Sequence, residues 1–202
     1  MPSHRSKLLD AALELMLSKG YSATTVDEVC AEAGVTKGSF YHHFGSKEEL
    51  ADVLVDHYFE IVVDAFSEPE PPRSTRAGAT PDGARQRLFR YLDQGIQVAK
   101  GPLFRRGCLL GSFALNLAET HPEMRAKLEQ RFSDLAKGIE PLLRAALREG
   151  PGTPAVSAPA LARQFVAVLQ GGIVLAKAAD DHGKIAEALR CYRETLRALL
   201  GD

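Results

Sequence analysis

The sequence predicts an all-α protein of about nine helices, because apolar residues recur at three- and four-residue intervals along most of its length. A second observation is negative: no stretch shows the two-residue alternation of a half-buried strand. A third is punctuation, since glycine, proline and small hydroxyl residues fall where the periodic runs stop and start. No internal repeat is present.

The first helix is carried by Leu8, Ala12, Leu15 and Met16, which share one face. The segment lacks a long uncharged apolar run, so it reads as a structural helix and not as a signal peptide. Thr25 and Glu28 then stand at capping-box spacing, which starts a helix near Val26. Val26, Val29, Cys30 and Ala33 form its apolar stripe, and Gly34 ends it, being free to take the left-handed conformation of a sharp turn. Thr36 caps the next helix, in which Phe40 and Phe44 face inward while Lys37, Gly38, Tyr41 and His42 lie on the other side. Ser46 and Glu49 repeat the capping-box spacing and begin a third helix with Lys47 in its first turn. Two short helices around a tight turn, followed by a longer one, are the pattern of a helix-turn-helix DNA reader.

Charge supports that reading only locally. The chain is formally −1 with a pI near 6.6, so it is no bulk polycation. From Gly34 to Lys47, however, there is no Asp or Glu, while Lys37, His42, His43 and Lys47 all occur there. An acid-free window in an acidic chain suits a helix that enters an anionic groove.

The long helix runs from Lys47 to about Phe66, with Leu50, Leu54, Tyr58, Ile61, Val62 and Ala65 as its buried face. Residues 67–82, rich in Pro, Gly, Ser and Arg, read as an exposed loop. Further helices are predicted at about 83–100, 106–119, 122–149, 158–178 and 183–200. The apolar run from Phe165 to Ala176 falls short of the roughly 20 residues that span a bilayer, so no membrane partner is expected. Three cysteines without framework spacing fit reduced thiols in a cytosol.

The helix at 106–119 is apolar almost all round, and its exceptions Cys108, Ser112 and Asn116 recur every four residues along one side. Buried polar groups need partners, so the stripe either faces a small-molecule effector between the helices or bonds to neighbouring backbone. Cys108 follows Arg105 and Arg106 at an expected helix N-terminus, where dipole and guanidinium groups favour a thiolate; its alternative is a packed, inert thiol. Cys30 and Cys191 read as structural. Phe66, Phe89, Phe104, Phe132 and Phe165 read as core packing before pocket wall. Gly171 and Gly172, in mid-helix, suggest close approach by another helix, and Ile185, Leu189, Tyr192, Leu196 and Leu199 add an apolar stripe. The pair of helices at 158–178 and 183–200 therefore reads as a dimerisation surface, with ordinary packing within the chain as the alternative.

The motifs together resemble the TetR family of bacterial transcriptional regulators. The resemblance rests on Thr24-Thr25-Val26, Ala33-Gly34-Val35, the run from Lys37 to Phe44, and Ser46-Lys47-Glu48-Glu49-Leu50. It implies a helix-turn-helix DNA-binding domain at 1–48 and a helical effector-binding and dimerisation domain at 49–202. It also implies that the C-terminal helices of two subunits form a four-helix bundle. By the same resemblance Thr25, Ser39, Tyr41 and Lys47 grip phosphates, and Lys37, Gly38 and His42 lie closest to base edges. The Gly107-Cys108-Leu109-Leu110-Gly111 run is similar to a branch of the family in which a cysteine here senses electrophiles. The expected partners are a palindromic double-stranded operator, a second copy of the chain and an effector that the sequence does not name. Neither metal nor cofactor is expected, since the six His and three Cys show no ligand spacing and no glycine-rich phosphate loop or nucleophile elbow occurs. The rival is a ligand-independent DNA-binding protein acting through a protein partner.

Overall fold

A computed structural model describes residues 3–67, 83–149 and 156–201. These residues form nine α-helices and no strand: α1 (His4–Lys19), α2 (Val26–Ala33), α3 (Lys37–His43), α4 (Lys47–Ala65), α5 (Ala84–Lys100), α6 (Leu109–Leu117), α7 (Pro122–Arg148), α8 (Ala158–Ala179) and α9 (Gly183–Leu200). The loop expected at 67–82 lies, past Ser67, outside the described residues.

Packing divides the chain into two compact units, residues 1–62 with 106–131 and residues 63–105 with 132–202. The boundary expected at 48/49 is not where compactness divides the chain, which keeps most of α4, α6 and the first turns of α7 with α1–α3. In the first unit Leu8, Ala12 and Met16 of α1, Phe40 and Phe44 at α3, and Leu50, Leu54 and Tyr58 of α4 are almost wholly buried. One ion-pair network ties α4 to α7. Lys127 Nζ lies 2.6 Å from Asp52 Oδ2 and 2.8 Å from Asp56 Oδ2, and Arg131 donates to Asp56 while stacking over Phe59.

In the second unit α9 packs on α8 and α5. Phe66, Tyr91, Phe104, Phe165 and Tyr192 form a chain of rings 5.8–6.2 Å apart, and the buried Tyr192 hydroxyl donates to Leu161 O at 2.7 Å. Gly95 makes room for that cluster, since a Cβ there would meet Phe66 Cε1 at 2.9 Å.

Three expectations change. The helix expected at 106–119 begins only at Leu109, because Gly107 sits at φ 111° and Cys108 is extended, ahead of the first turn. Nor is α6 covered all round, since Leu115 is 83% exposed. The stripe Ile185, Leu189, Tyr192 and Leu196 is interior to the chain, buried beneath α8 and α5, while Leu199 faces outward. Gly172 likewise serves packing within the chain: a Cβ there would lie 3.2 Å from Ile185 Cα and Ala188 Cβ of α9, whereas Gly171 opens on empty space. Periodicity fixes which residues share a face and leaves open which neighbour covers it. Among the described residues α8 is the one helix long and apolar enough to cross a membrane, longer than the run from Phe165 to Ala176, but its inner face is core.

Candidate nucleic-acid interface

The short helix α3 is held by its ends and by a single buried residue. Thr36 Oγ1 accepts from Ser39 N at 3.1 Å, and Phe40 is fully buried against Phe44, with ring centroids 5.8 Å apart. A seven-residue helix has no independent stability, so tertiary packing sets its position. Lys37, Gly38, Tyr41 and His42 are exposed on the opposite side, Tyr41 to 57%. The expected reading face is therefore presented as one surface.

Helix α2 opens on the capping box that its spacing predicts. Thr25 Oγ1 accepts from Glu28 N, and the Glu28 carboxylate accepts from Thr25 N at 2.9 Å. Lys19 and the Thr25 groups together hold the Glu28 carboxyl down at about 2. Gly34 turns the chain toward α3 at φ 64°. The second box is modified: Ser46 caps Glu49 N, but the Glu49 carboxylate reaches Gly45 N at 2.7 Å.

Lys47 points inward. Its ammonium donates to the carbonyls of Tyr21 and Thr24 at 3.3 and 3.1 Å and lies 4.2 Å from the centre of the Tyr21 ring. It pins the start of α4 to the turn before α2, which leaves less of its charge for a phosphate than its place in the sequence implies. Tyr21 is 7% exposed, packs edge-on against Phe113, and donates to Glu48; burial and that carboxylate push its phenol up to about 12.

Two neighbours of the face were not legible from spacing. His4 Nδ1 lies 3.0 Å from Ser39 Oγ, so the start of α1 reaches α3. Asp27 Oδ1 lies 2.7 Å from Lys37 Nζ, with both side chains more than half exposed. Asp27 stands outside the acid-free window in sequence and beside it in space.

The stripe on α6 splits. Cys108 is 5% exposed and Ser112 half-buried, while Asn116 is exposed and donates to Ser112 O of its own helix at 2.7 Å. Asn116 thus follows the backbone-bonding alternative. The Cys108 thiol lies against the Tyr58 hydroxyl of α4, and burial followed by that thiol pushes the phenol well above its usual range. Arg106, expected to favour a thiolate, is paired with Glu14 at 2.8 Å. Cys30 is buried, which pushes its thiol up, and Cys191 is exposed on α9 and not packed as expected. Among the described residues no group of His, Cys, Asp or Glu is arranged to hold a metal ion.

The chain is similar to known proteins along most of its length. Residues 8–54 match the family model described as bacterial regulatory proteins, tetR family, and residues 84–192 match that of a tetracyclin repressor-like C-terminal domain. The chain is 33% identical over 179 residues to the transcriptional regulator AcuR of Cereibacter sphaeroides, covering 87% of this chain and 76% of that protein. It is 27% identical over 192 residues to the HTH-type transcriptional repressor DhaR of Mycobacterium sp. strain GP1, covering 95% of this chain and 91% of that one. A solved structure of the regulatory protein TetR from Rhodobacter sphaeroides matches with a TM-score of 0.76 at 26% identity, over 93% of this chain and 96% of that chain.

Proposed function

Because the chain belongs to the TetR family of bacterial transcriptional regulators, we propose that it is a dimeric repressor that binds a palindromic operator and leaves it when a small molecule binds. It is a DNA-binding regulator of transcription, not an enzyme. The observation that carries the DNA half is the exposed row Lys37, Gly38, Tyr41 and His42 on a helix fixed from behind by Phe40 and Phe44. Lys37, Gly38 and His42 approach base edges, while Thr25, Ser39 and Tyr41 take phosphates; such contacts position the protein and base contacts specify the sequence. Lys47 acts chiefly by holding α4 to the α1–α2 turn. Residues 1–48 are the reader, and 49–202 sense and dimerise. Its place of action is the cytoplasm.

A second copy supplies the other half of the operator contact. Ala167, Gly171, Val174, Leu175 and Ala178 make an exposed apolar row on α8, with Val174 57% and Leu175 60% exposed. Cys191, Ala198 and Leu199 of α9 are exposed as well. Water-facing apolar rows of this kind mark subunit contacts, and paired heads about 34 to 36 Å apart would read successive major grooves. Replacing Val174 and Leu175 by Asp is expected to give a monomer in size-exclusion chromatography with light scattering, with weakened operator binding. A dimer that persists would remove α8 from the interface.

The effector signal has a short route to the reader, because Cys108, just ahead of α6, packs on Tyr58 of α4, the helix that follows α3. Ser112 sits one turn further along α6. An event there that shifts α4 changes the reader, at a coupling of about 1 to 3 kcal/mol. The DNA assignment is tested by operator binding of a Lys37→Ala, Tyr41→Ala variant that still dimerises. A loss of about tenfold to a hundredfold is expected, and undiminished affinity would sink the assignment.

A further inference from the structure

The geometry points to Asp27 as a residue that sets how selectively this chain reads DNA, by restraining Lys37. The inference rests on α3 being the reading helix. Lys37 opens α3, and its ammonium is held 2.7 Å from the Asp27 carboxylate in the first turn of α2. In the same turn Glu28 is committed to Thr25 and Lys19. Asp27 has a different partner, and that partner is the cation at the head of the reading face.

A carboxylate at this place treats the two kinds of DNA contact differently. A phosphate oxygen that takes or shares Lys37 is an anion brought beside the Asp27 carboxylate, so a contact made only through the backbone is penalised by like-charge repulsion. A base edge presents neutral acceptors, such as the N7 and O6 of guanine. An ammonium has three N–H donors, so Lys37 can keep one on Asp27 while giving another to such an acceptor. The pair therefore weakens sequence-independent binding more than operator binding. The remaining surface agrees: of the four exposed residues Lys37, Gly38, Tyr41 and His42, Lys37 is the one lysine or arginine, so its placement decides the matter.

The test compares binding to a duplex selected from random DNA by this protein with binding to a scrambled duplex of the same composition. For Asp27→Asn, binding to the scrambled duplex is expected to tighten about two- to fivefold, the span of an exposed ion pair. Its dependence on salt should steepen by about one phosphate contact. Binding to the selected duplex should change less, so that discrimination falls. Asp27→Glu, which keeps the charge, should retain the parent ratio. Asp27 is mostly exposed, and circular dichroism checks that both variants stay folded. An unchanged ratio in Asp27→Asn would overturn the inference. The same fall in a Lys37→Ala background would also overturn it, because the effect would then be bulk charge. Failure of the underlying reading shows separately, as a parent protein that does not distinguish the two duplexes.

Discussion

Phe40→Ala is expected to abolish operator binding although Phe40 exposes no surface to DNA. Its ring is fully buried, is the one buried residue of α3, and lies 5.2 and 5.8 Å from the rings of Tyr41 and Phe44. Truncating such a side chain costs about 3–5 kcal/mol. Small domains have only about 5–15 kcal/mol in total. The seven residues of α3 lie far below the roughly 12–15 at which a helix persists alone. Loss of the anchor should therefore unseat the whole reading face while leaving α8 and α9 paired. Thermal melting followed by circular dichroism, with operator binding measured on the same samples, checks this. Phe40→Leu should restore most of both properties, since it refills the site with apolar volume. Full operator affinity in Phe40→Ala would mean that α3 is positioned by its caps alone.

Phe165→Ala is expected to cost a similar amount, about 3–5 kcal/mol, in the second unit. Phe165 is 3% exposed and sits at the middle of the ring cluster, with centroids 6.0 Å from Phe66, 6.1 Å from Tyr91 and 5.8 Å from Tyr192. Edge-to-face and tilted pairs at such spacing add about 0.5–1.5 kcal/mol beyond burial. Chemical denaturation should show the loss as a lower midpoint. The space left is apolar, and apolar cavities stay dry and accept small aromatic molecules. Benzene should accordingly raise the melting temperature of Phe165→Ala and leave the parent unchanged. A parent stabilised equally by benzene would show that these rings already line a cavity, and would move them from packing to the effector site.

The fold was largely legible because local signals agree with one another. Thr25 with Glu28, Gly34, and Thr36 ahead of Phe40 each state where a helix starts or stops, and all nine helices among the described residues lie close to the positions that periodicity predicts. Relations between elements were not legible. The Asp27–Lys37 pair crosses from α2 to α3, His4 reaches Ser39 from 35 residues away, and Lys47 turns inward because two carbonyls and a ring happen to lie beneath it. The same limit explains α9: Ile185, Leu189, Tyr192 and Leu196 do form a stripe, and only packing shows that it faces the chain's own interior. At α6 a single glycine at φ 111° outweighs an otherwise helical pattern.

The compact unit that contains α1–α3 is assembled from two separate stretches of chain, 1–62 and 106–131. Tyr21 meets Phe113, Tyr58 meets Cys108, and Asp52 and Asp56 meet Lys127 across that gap. The DNA-binding end is thus not a detachable cassette. A hybrid regulator that exchanges only residues 1–48 with a relative would set one protein's Tyr21 against another's α6, and would lose fit where the graft looks seamless in sequence. Recombination that moves α6 and the opening of α7 together with the first four helices keeps each of these contacts native.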